Sequence, residues 1–86
     1  MTATTDLTPW DLAKARYDEA RRVEDAYSSV VVKHRGKWRT APPGPLADRA
    51  RRALAMATAQ LTKATMDKQT AWRAWHALGG PSRHAR

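Results

Sequence analysis

Apolar side chains recur at alternating steps of three and four residues along two long stretches of this chain, and this spacing constrains the fold more than any other feature. The repeating positions in the first stretch are Trp10, Ala13, Tyr17, Ala20, Glu24, Tyr27 and Val31. Those in the second stretch are Ala47, Ala50, Leu54, Ala57, Leu61, Ala64, Lys68, Ala71, Trp75 and Leu78. Such steps keep side chains on one stripe of an α-helix. The pattern therefore predicts two amphipathic helices, each with one charged residue in its stripe.

The start of the first helix is marked by a sequence that resembles a capping box. Thr8 is placed to cap the helix, Pro9 to take its first position and Asp11 to bond back to the cap. We expect this helix to end near residue 32, because the valines at 30–32 weaken helix propensity and Gly36 can terminate a helix in the left-handed conformation. The first helix is thus predicted over residues 9–32.

The second helix is predicted over residues 46–78. Pro45 suits the first position of a helix, and Asp48 puts a negative charge in the first turn, where it complements the helix dipole. The pair Gly79 and Gly80, followed by Pro81, is typical of a helix C-terminus. The ends of this helix are therefore marked on both sides.

Together these elements predict an all-α fold: an antiparallel two-helix hairpin, similar to a coiled coil, that self-association or a partner could complete to a bundle. With a connection centred near residue 40, residue i would lie opposite about residue 82 − i, from the geometry of short helix-helix connections. Tyr17 would then face Ala64, and Trp10 would lie near Trp72 and Trp75. Large side chains would meet small ones, as close packing of helices requires.

The predicted organisation is one helical domain over residues 9–78, with a polar arm at 1–8 and a basic flexible tail at 79–86. A basic linker over residues 33–45 would join the two helices. The local alternative is a short β-hairpin over residues 29–40, in which the valine-rich strand 29–33 would pair with residues 37–40 across a turn at Arg35 and Gly36.

The charge of the chain favours an acidic partner. Its 86 residues include 16 Lys and Arg against 8 Asp and Glu, which gives a formal net charge of +8. Twelve of those bases but only two of the acids lie in residues 33–86. Polyanions such as nucleic acid, or acidic protein surfaces, are the partners that such a balance predicts.

Other features of composition exclude several classes. There is no cysteine, so disulfides and thiolate chemistry are excluded, and neither a signal peptide nor a membrane span is evident. We expect a cytoplasmic protein without membrane contact. The abundance of alanine and arginine is typical of GC-rich genomes and favours an actinobacterial or phage source.

The most nucleic-acid-like segment spans residues 33–39. It holds four bases and an adjacent tryptophan, namely Lys33, Arg35, Lys37, Arg39 and Trp38. Lysine and arginine neutralise phosphates and release counterions, while an indole provides a stacking plane for an unpaired base. The alternative is a solvated turn whose charges keep the hairpin soluble while the indole folds back onto the helices.

A second candidate surface is a stripe on helix two that faces away from the apolar seam. Its members are Arg49, Arg52, Met56, Ala59, Lys63, Met66, Thr70 and Arg73. The stripe would run for roughly 36 Å at the rise of an α-helix and could follow a phosphate backbone. Alternatively the two methionines could anchor it in a groove of a protein, or it could be an ordinary solvated face.

The first helix carries further apolar residues beside its main stripe, at Leu12, Val23, Ala26 and Val30. A lone hairpin has no use for them, so they suit a second interface, either in a self-associated four-helix bundle or with a larger partner. The row Asp11, Asp18 and Asp25 would be available to meet a basic stripe there. Single exposed apolar residues are also common and need no special role.

Catalysis has no support in the sequence. His34, His76 and His84 lie far apart and have no acid at metal-ligand spacing, and no glycine-rich phosphate loop is present. We expect no cofactor and no metal. The sequence favours a non-enzymatic accessory subunit that binds nucleic acid or a nucleoprotein assembly largely without sequence specificity. The alternatives are an adaptor or inhibitor, plausibly phage-encoded, that docks on an acidic protein surface, and a structural subunit of a larger assembly or homo-oligomer.

Overall fold

The computed structural model describes residues 7–84 and confirms the all-α hairpin. Helix α1 spans Pro9–Thr40, helix α2 spans Pro45–Ala77, and a short 3-10 helix covers Gly80–His84. The two long helices pack antiparallel along their length, and the described part of the chain contains no strand. The result is a rod with extents of 58 × 28 × 17 Å.

The predicted N-terminal cap of α1 is confirmed. The Thr8 hydroxyl accepts a hydrogen bond from the Asp11 backbone N–H at 3.1 Å, and the Asp11 carboxylate accepts one from the Thr8 backbone N–H at 3.0 Å. Pro9 follows the cap directly, where its missing N–H costs nothing. These bonds satisfy donors that would otherwise be unpaired at the helix start.

The predicted end of α1 is wrong, because the helix continues to Thr40 through the segment expected to be a linker or a β-hairpin. Valines lower helix propensity by only a fraction of a kcal/mol each, and the burial of Val31 in the seam outweighs that cost. Gly36 lies within the helix and does not adopt the left-handed conformation, since the glycines with positive φ are Gly44, Gly79 and Gly80. The helix ends where Pro42 pushes Ala41 into an extended conformation (φ −71°, ψ 135°).

The longer helix also changes the register of the hairpin. The turn now lies at residues 41–44, so each α1 residue faces a partner about three residues or more farther along α2 than expected. Tyr17 stacks on Trp75 (ring centroids 5.3 Å apart) and does not face Ala64. The predicted approach of Trp10 to Trp75 is confirmed, with centroids 5.7 Å apart in an edge-to-face arrangement.

The seam between the helices is the one that the periodicity predicts. Its buried members are Trp10, Ala13, Val31, Ala57, Ala64 and Trp75. Every other position of the two predicted stripes is partly buried except Leu78, which is exposed just after α2 ends. Half of the buried residues are alanines, which lets the helices approach closely while the aromatic rings fill the space at one end.

That aromatic end ties the chain's terminal segment to α1. The Trp10 indole Nε1–H donates a 2.8 Å hydrogen bond to the carbonyl of Gly80, which is buried in the 3-10 helix. Gly79 and Gly80 have positive φ values of 110° and 55°, so the chain can leave α2 and turn back toward Trp10. The predicted flexible tail therefore begins as an ordered 3-10 helix; residues 1–6 of the predicted arm and residues 85–86 lie outside the described part.

The glycines distinguish the observed helix end from the expected one. We predict that Gly36→Ala raises the free energy of unfolding by about 0.5–1 kcal/mol, because the residue is helical and a new Cβ would meet nothing within 4 Å. Gly44→Ala should lower stability, because its φ of 119° strains any L-residue. Chemical denaturation of both variants measures these changes. A destabilised Gly36→Ala variant would contradict a helix through this position.

Candidate functional site

The turn end of the hairpin concentrates the positive charge of the protein. Seven bases lie within residues 33–52, on both sides of the turn, against the single acid Asp48. We call these residues the basic pole: Lys33, Arg35, Lys37, Arg39, Arg49, Arg51 and Arg52. All seven are exposed, and in the described part of the chain none of them forms an ion pair. Their charges are therefore free to meet an external partner.

Helical geometry divides the α1 bases of the basic pole into two rows. Successive residues of a helix are rotated by about 100°, so Lys33 and Lys37 share one side while Arg35 and Arg39 share nearly the opposite side. Between these rows the seam continues with His34, which is partly buried. The segment is thus a rigid pair of basic edges and not the linker that the sequence predicted.

Trp38 lies on the seam side of α1, close to the turn. Its side chain is 43% exposed, and its backbone carbonyl accepts a 3.3 Å hydrogen bond from the Ala41 N–H. Part of the residue is covered and a large part faces solvent, so its two expected roles both stay predictions. An exposed indole between two basic rows combines stacking surface with phosphate-binding charge.

The structure separates the members of the helix-two stripe. Every one is exposed, including Met56 and Met66. Only Arg49 and Arg52 belong to the basic pole, since Arg73 lies roughly 32 Å farther along α2. Lys63 and Arg73 line separate surface hollows, the first beside Asp67 and the second beside Trp72. Arg51 joins the pole, although the stripe pattern excluded it.

The single charged residue of each apolar stripe pairs with that of the other stripe. Glu24 accepts hydrogen bonds from the Lys68 ammonium at 2.8 Å and from the Thr65 hydroxyl at 2.7 Å. The side chains of Glu24 and Lys68 are 19% and 29% exposed, so the pair is partly shielded from water. These two hydrogen bonds, with the charge of Lys68, hold the pKa of the Glu24 carboxyl below its ordinary value of 4.5.

Sequence reasoning missed this ion pair, although both residues stood out as the single charged members of their stripes. Their opposite charges were the feature of the sequence that could have indicated the pairing. In the expected register Glu24 lay opposite about residue 58, too far from Lys68 for contact. Aligning the two charges would have corrected the register.

An apolar groove runs along one face of the hairpin, between α1 and α2. Its volume is about 510 Å³, and its floor includes the small side chains of Ala20, Ala64 and Ala71. Leu12 and Val23, which the sequence singled out for a second interface, line it together. Smaller hollows continue the groove toward both ends of the hairpin and share Leu12 and Val23 with it.

The aspartate row expected to serve such an interface is largely engaged within the chain. Asp11 belongs to the helix cap, and Asp18 accepts a 2.7 Å hydrogen bond from Lys14. Asp25 is exposed on α1. Two of the three aspartates therefore already have hydrogen-bond partners within the chain.

Within the described residues, no group of three or more histidines and carboxylates is placed to hold a metal ion. Across residues 7–84, no helix is both long enough and apolar enough to cross a membrane. Comparisons with protein-family models, curated proteins and solved structures found no match to this chain. The case for a function rests on the chain's own residues.

The Glu24 ion pair predicts a pH-dependent contribution to stability. Because the folded-state pKa of Glu24 is lowered, this contribution is present above the unfolded pKa near 4.5 and is lost as the pH falls through the lower folded value. We expect Glu24→Gln to lower the melting temperature at pH 7 and to weaken the stability loss between pH 5 and 3, relative to wild type. Asp25→Asn, an exposed carboxylate on the same helix, is the control. Equal effects of the two changes would contradict this role.

Proposed function

We propose that this protein is a non-enzymatic accessory subunit that binds nucleic acid, or a nucleoprotein assembly, through the basic pole. The observation that carries the proposal is the convergence of seven unpaired, exposed bases from two helices at one end of the rod. Such a cluster neutralises several phosphates at once and releases their counterions. The remainder of the chain has nearly balanced charge by comparison, so the pole orients the molecule on a polyanion.

The composition of the basic pole favours binding largely without sequence readout. The chain has no asparagine, and its two glutamines, Gln60 and Gln69, lie on α2 beyond the pole. Amide side chains that pair with adenine edges are therefore missing where contact is proposed. Lysine and arginine at this end would serve chiefly to neutralise phosphates, and phosphate contacts position a protein without specifying a base sequence.

The first test compares two sets of four bases on the same helix. Changing Lys33, Arg35, Lys37 and Arg39 to serine should reduce binding to single- and double-stranded DNA and RNA, and each lost phosphate contact should lower the salt slope by about one. The control changes the other four α1 bases, Lys14, Arg16, Arg21 and Arg22, and sedimentation checks that the variants have the same oligomeric state, because Arg16 lines the apolar groove. Both variants lose the same charge. Filter binding or fluorescence anisotropy over a salt series measures the slopes.

Equal losses in the two variants would show that net charge, and not the basic pole, determines affinity. Full retention of binding by the first variant would remove residues 33–39 from the mechanism. Arg49, Arg51 and Arg52 would then be the remaining candidates at this end.

The second test concerns the indole at the pole. Trp38→Ala should weaken single-strand binding by roughly 1–3 kcal/mol without changing the salt slope, because stacking involves no counterion release. Trp72→Ala is the control, since Trp72 is 44% exposed but lies at the aromatic end of the rod. The same titrations measure both variants. An equal effect of the two changes would exclude a specific role for Trp38.

The second candidate function is a protein-binding adaptor or inhibitor that docks on an acidic surface. The exposed side chains of Met56 and Met66 favour it, because methionine adapts to the grooves of protein partners. For a protein partner, loss of the basic residues would mainly slow association, whereas Met56→Asp or Met66→Asp would accelerate dissociation. In either case we expect the protein to work as a homo-oligomer or as a subunit of a larger complex.

A further inference from the structure

The isolated hairpin exposes more surface than a compact protein of its mass. Its accessible surface is 6630 Å², against about 5,100 Å² expected for a folded 9.6 kDa monomer. Its radius of gyration is 18.5 Å, against about 12 Å for a compact chain of this length. Among the described residues no side chain is less than 2% exposed. The excess, about 1,500 Å², is larger than the roughly 800 Å² that each partner buries in a standard interface.

The apolar groove is the face on which that excess can be buried. Leu12 and Val23 project along its α1 side, while the alanines of its floor leave space between the helices. Projecting aliphatic side chains beside a floor of small residues are the two halves of a knobs-into-holes contact. The groove therefore holds both the knobs and the holes that a similar surface would need.

The charges around the groove select the chemistry of its occupant. Two bases and two acids line the groove and its extension, namely Arg16, Glu19, Lys63 and Asp67. Their formal charges cancel, although the whole chain carries +8. A polyanion or an acidic protein surface gains nothing from such a lining. A partner that carries acids and bases in a complementary order would form favourable contacts with it.

The order of residues along α1 is complementary to itself. The groove side of this helix presents Leu12, Arg16, Glu19 and Val23, that is, apolar, basic, acidic and apolar, at spacings of four, three and four. When this row is reversed against a second copy, Leu12 meets Val23 and Arg16 meets Glu19, each pair twice. Both hydrogen bonds from Arg22 to Glu19 end on Oε1, so Oε2 can accept the new partner.

We propose that the apolar groove binds a second copy of this chain, with α1 antiparallel to its counterpart, in a two-fold symmetric four-helix bundle. Leu12 and Val23 of each copy enter the alanine floor of the other. This arrangement joins the molecules through their aromatic halves and leaves one basic pole at each end of the dimer. Poles at opposite ends avoid the repulsion that a parallel dimer would impose. The dimer does not depend on the proposed binding of nucleic acid.

Sedimentation equilibrium without nucleic acid tests the proposal. Wild type should be a dimer of twice the 9.6 kDa chain mass at micromolar concentration. Val23→Asp should raise the dimer dissociation constant at least about a hundredfold, because the symmetric interface buries the new charge twice. The matched control is Val32→Asp, an exposed valine on the same helix that does not line the groove, which should change it less than about threefold. Circular dichroism confirms that both variants stay helical.

Charge reversal tests the antiparallel pairing separately. Arg16→Glu should weaken the dimer, since it sets two pairs of acids against each other. Adding Glu19→Arg should restore the wild-type dissociation constant to within about fivefold, because the reversed pair is again complementary. A wild-type monomer at every concentration, equal effects of the two valine changes, or no rescue by the double reversal would each overturn the proposal. A heterologous protein in the groove predicts the first of these results.

Discussion

The ion pair between Glu24 and Lys68 is the interaction on which the arrangement of this hairpin depends. Two amphipathic stripes rich in alanine can slide past each other at little cost, because one alanine packs much like the next. A charge in each stripe removes that freedom, since a shift of one turn would leave both charges shielded and unpaired. The turn at residues 41–44 and this pair agree on one register. That register also brings Trp10 against Trp75.

In this register, the two ends of the rod carry different kinds of side chain. The aromatic end closes the structure through the Trp10 bond to Gly80 and the stacking of Tyr17 on Trp75. The turn end contributes few buried side chains and carries the exposed bases. The buried side chains and the exposed bases are therefore different residues, so bases can be changed at the pole without loss of the core. The apolar groove lies toward the aromatic half and leaves the pole accessible.

Periodicity and capping were sufficient to predict the fold, because burial in a two-helix seam depends on spacing alone. The end of α1 could not be predicted in the same way, since Gly36 and the valines before it are weak local signals that tertiary packing overrides. Pro42 was the stronger stop, because it removes an N–H and restricts the preceding residue. The error moved the register and hid the Glu24–Lys68 pair. The bases at 33–39 were recognised by composition, but their division into two rows and the addition of Arg51 required the helix.

A double-mutant cycle on Glu24 and Lys68 tests whether this pair sets the register. Glu24→Gln, Lys68→Met and the double variant would be unfolded in denaturant at pH 7, and the coupling free energy would be taken from the four stabilities. We expect a favourable coupling of about 1–2 kcal/mol, because each single change leaves one partly shielded charge without its partner. Additive effects, with a coupling within about 0.3 kcal/mol of zero, would contradict it.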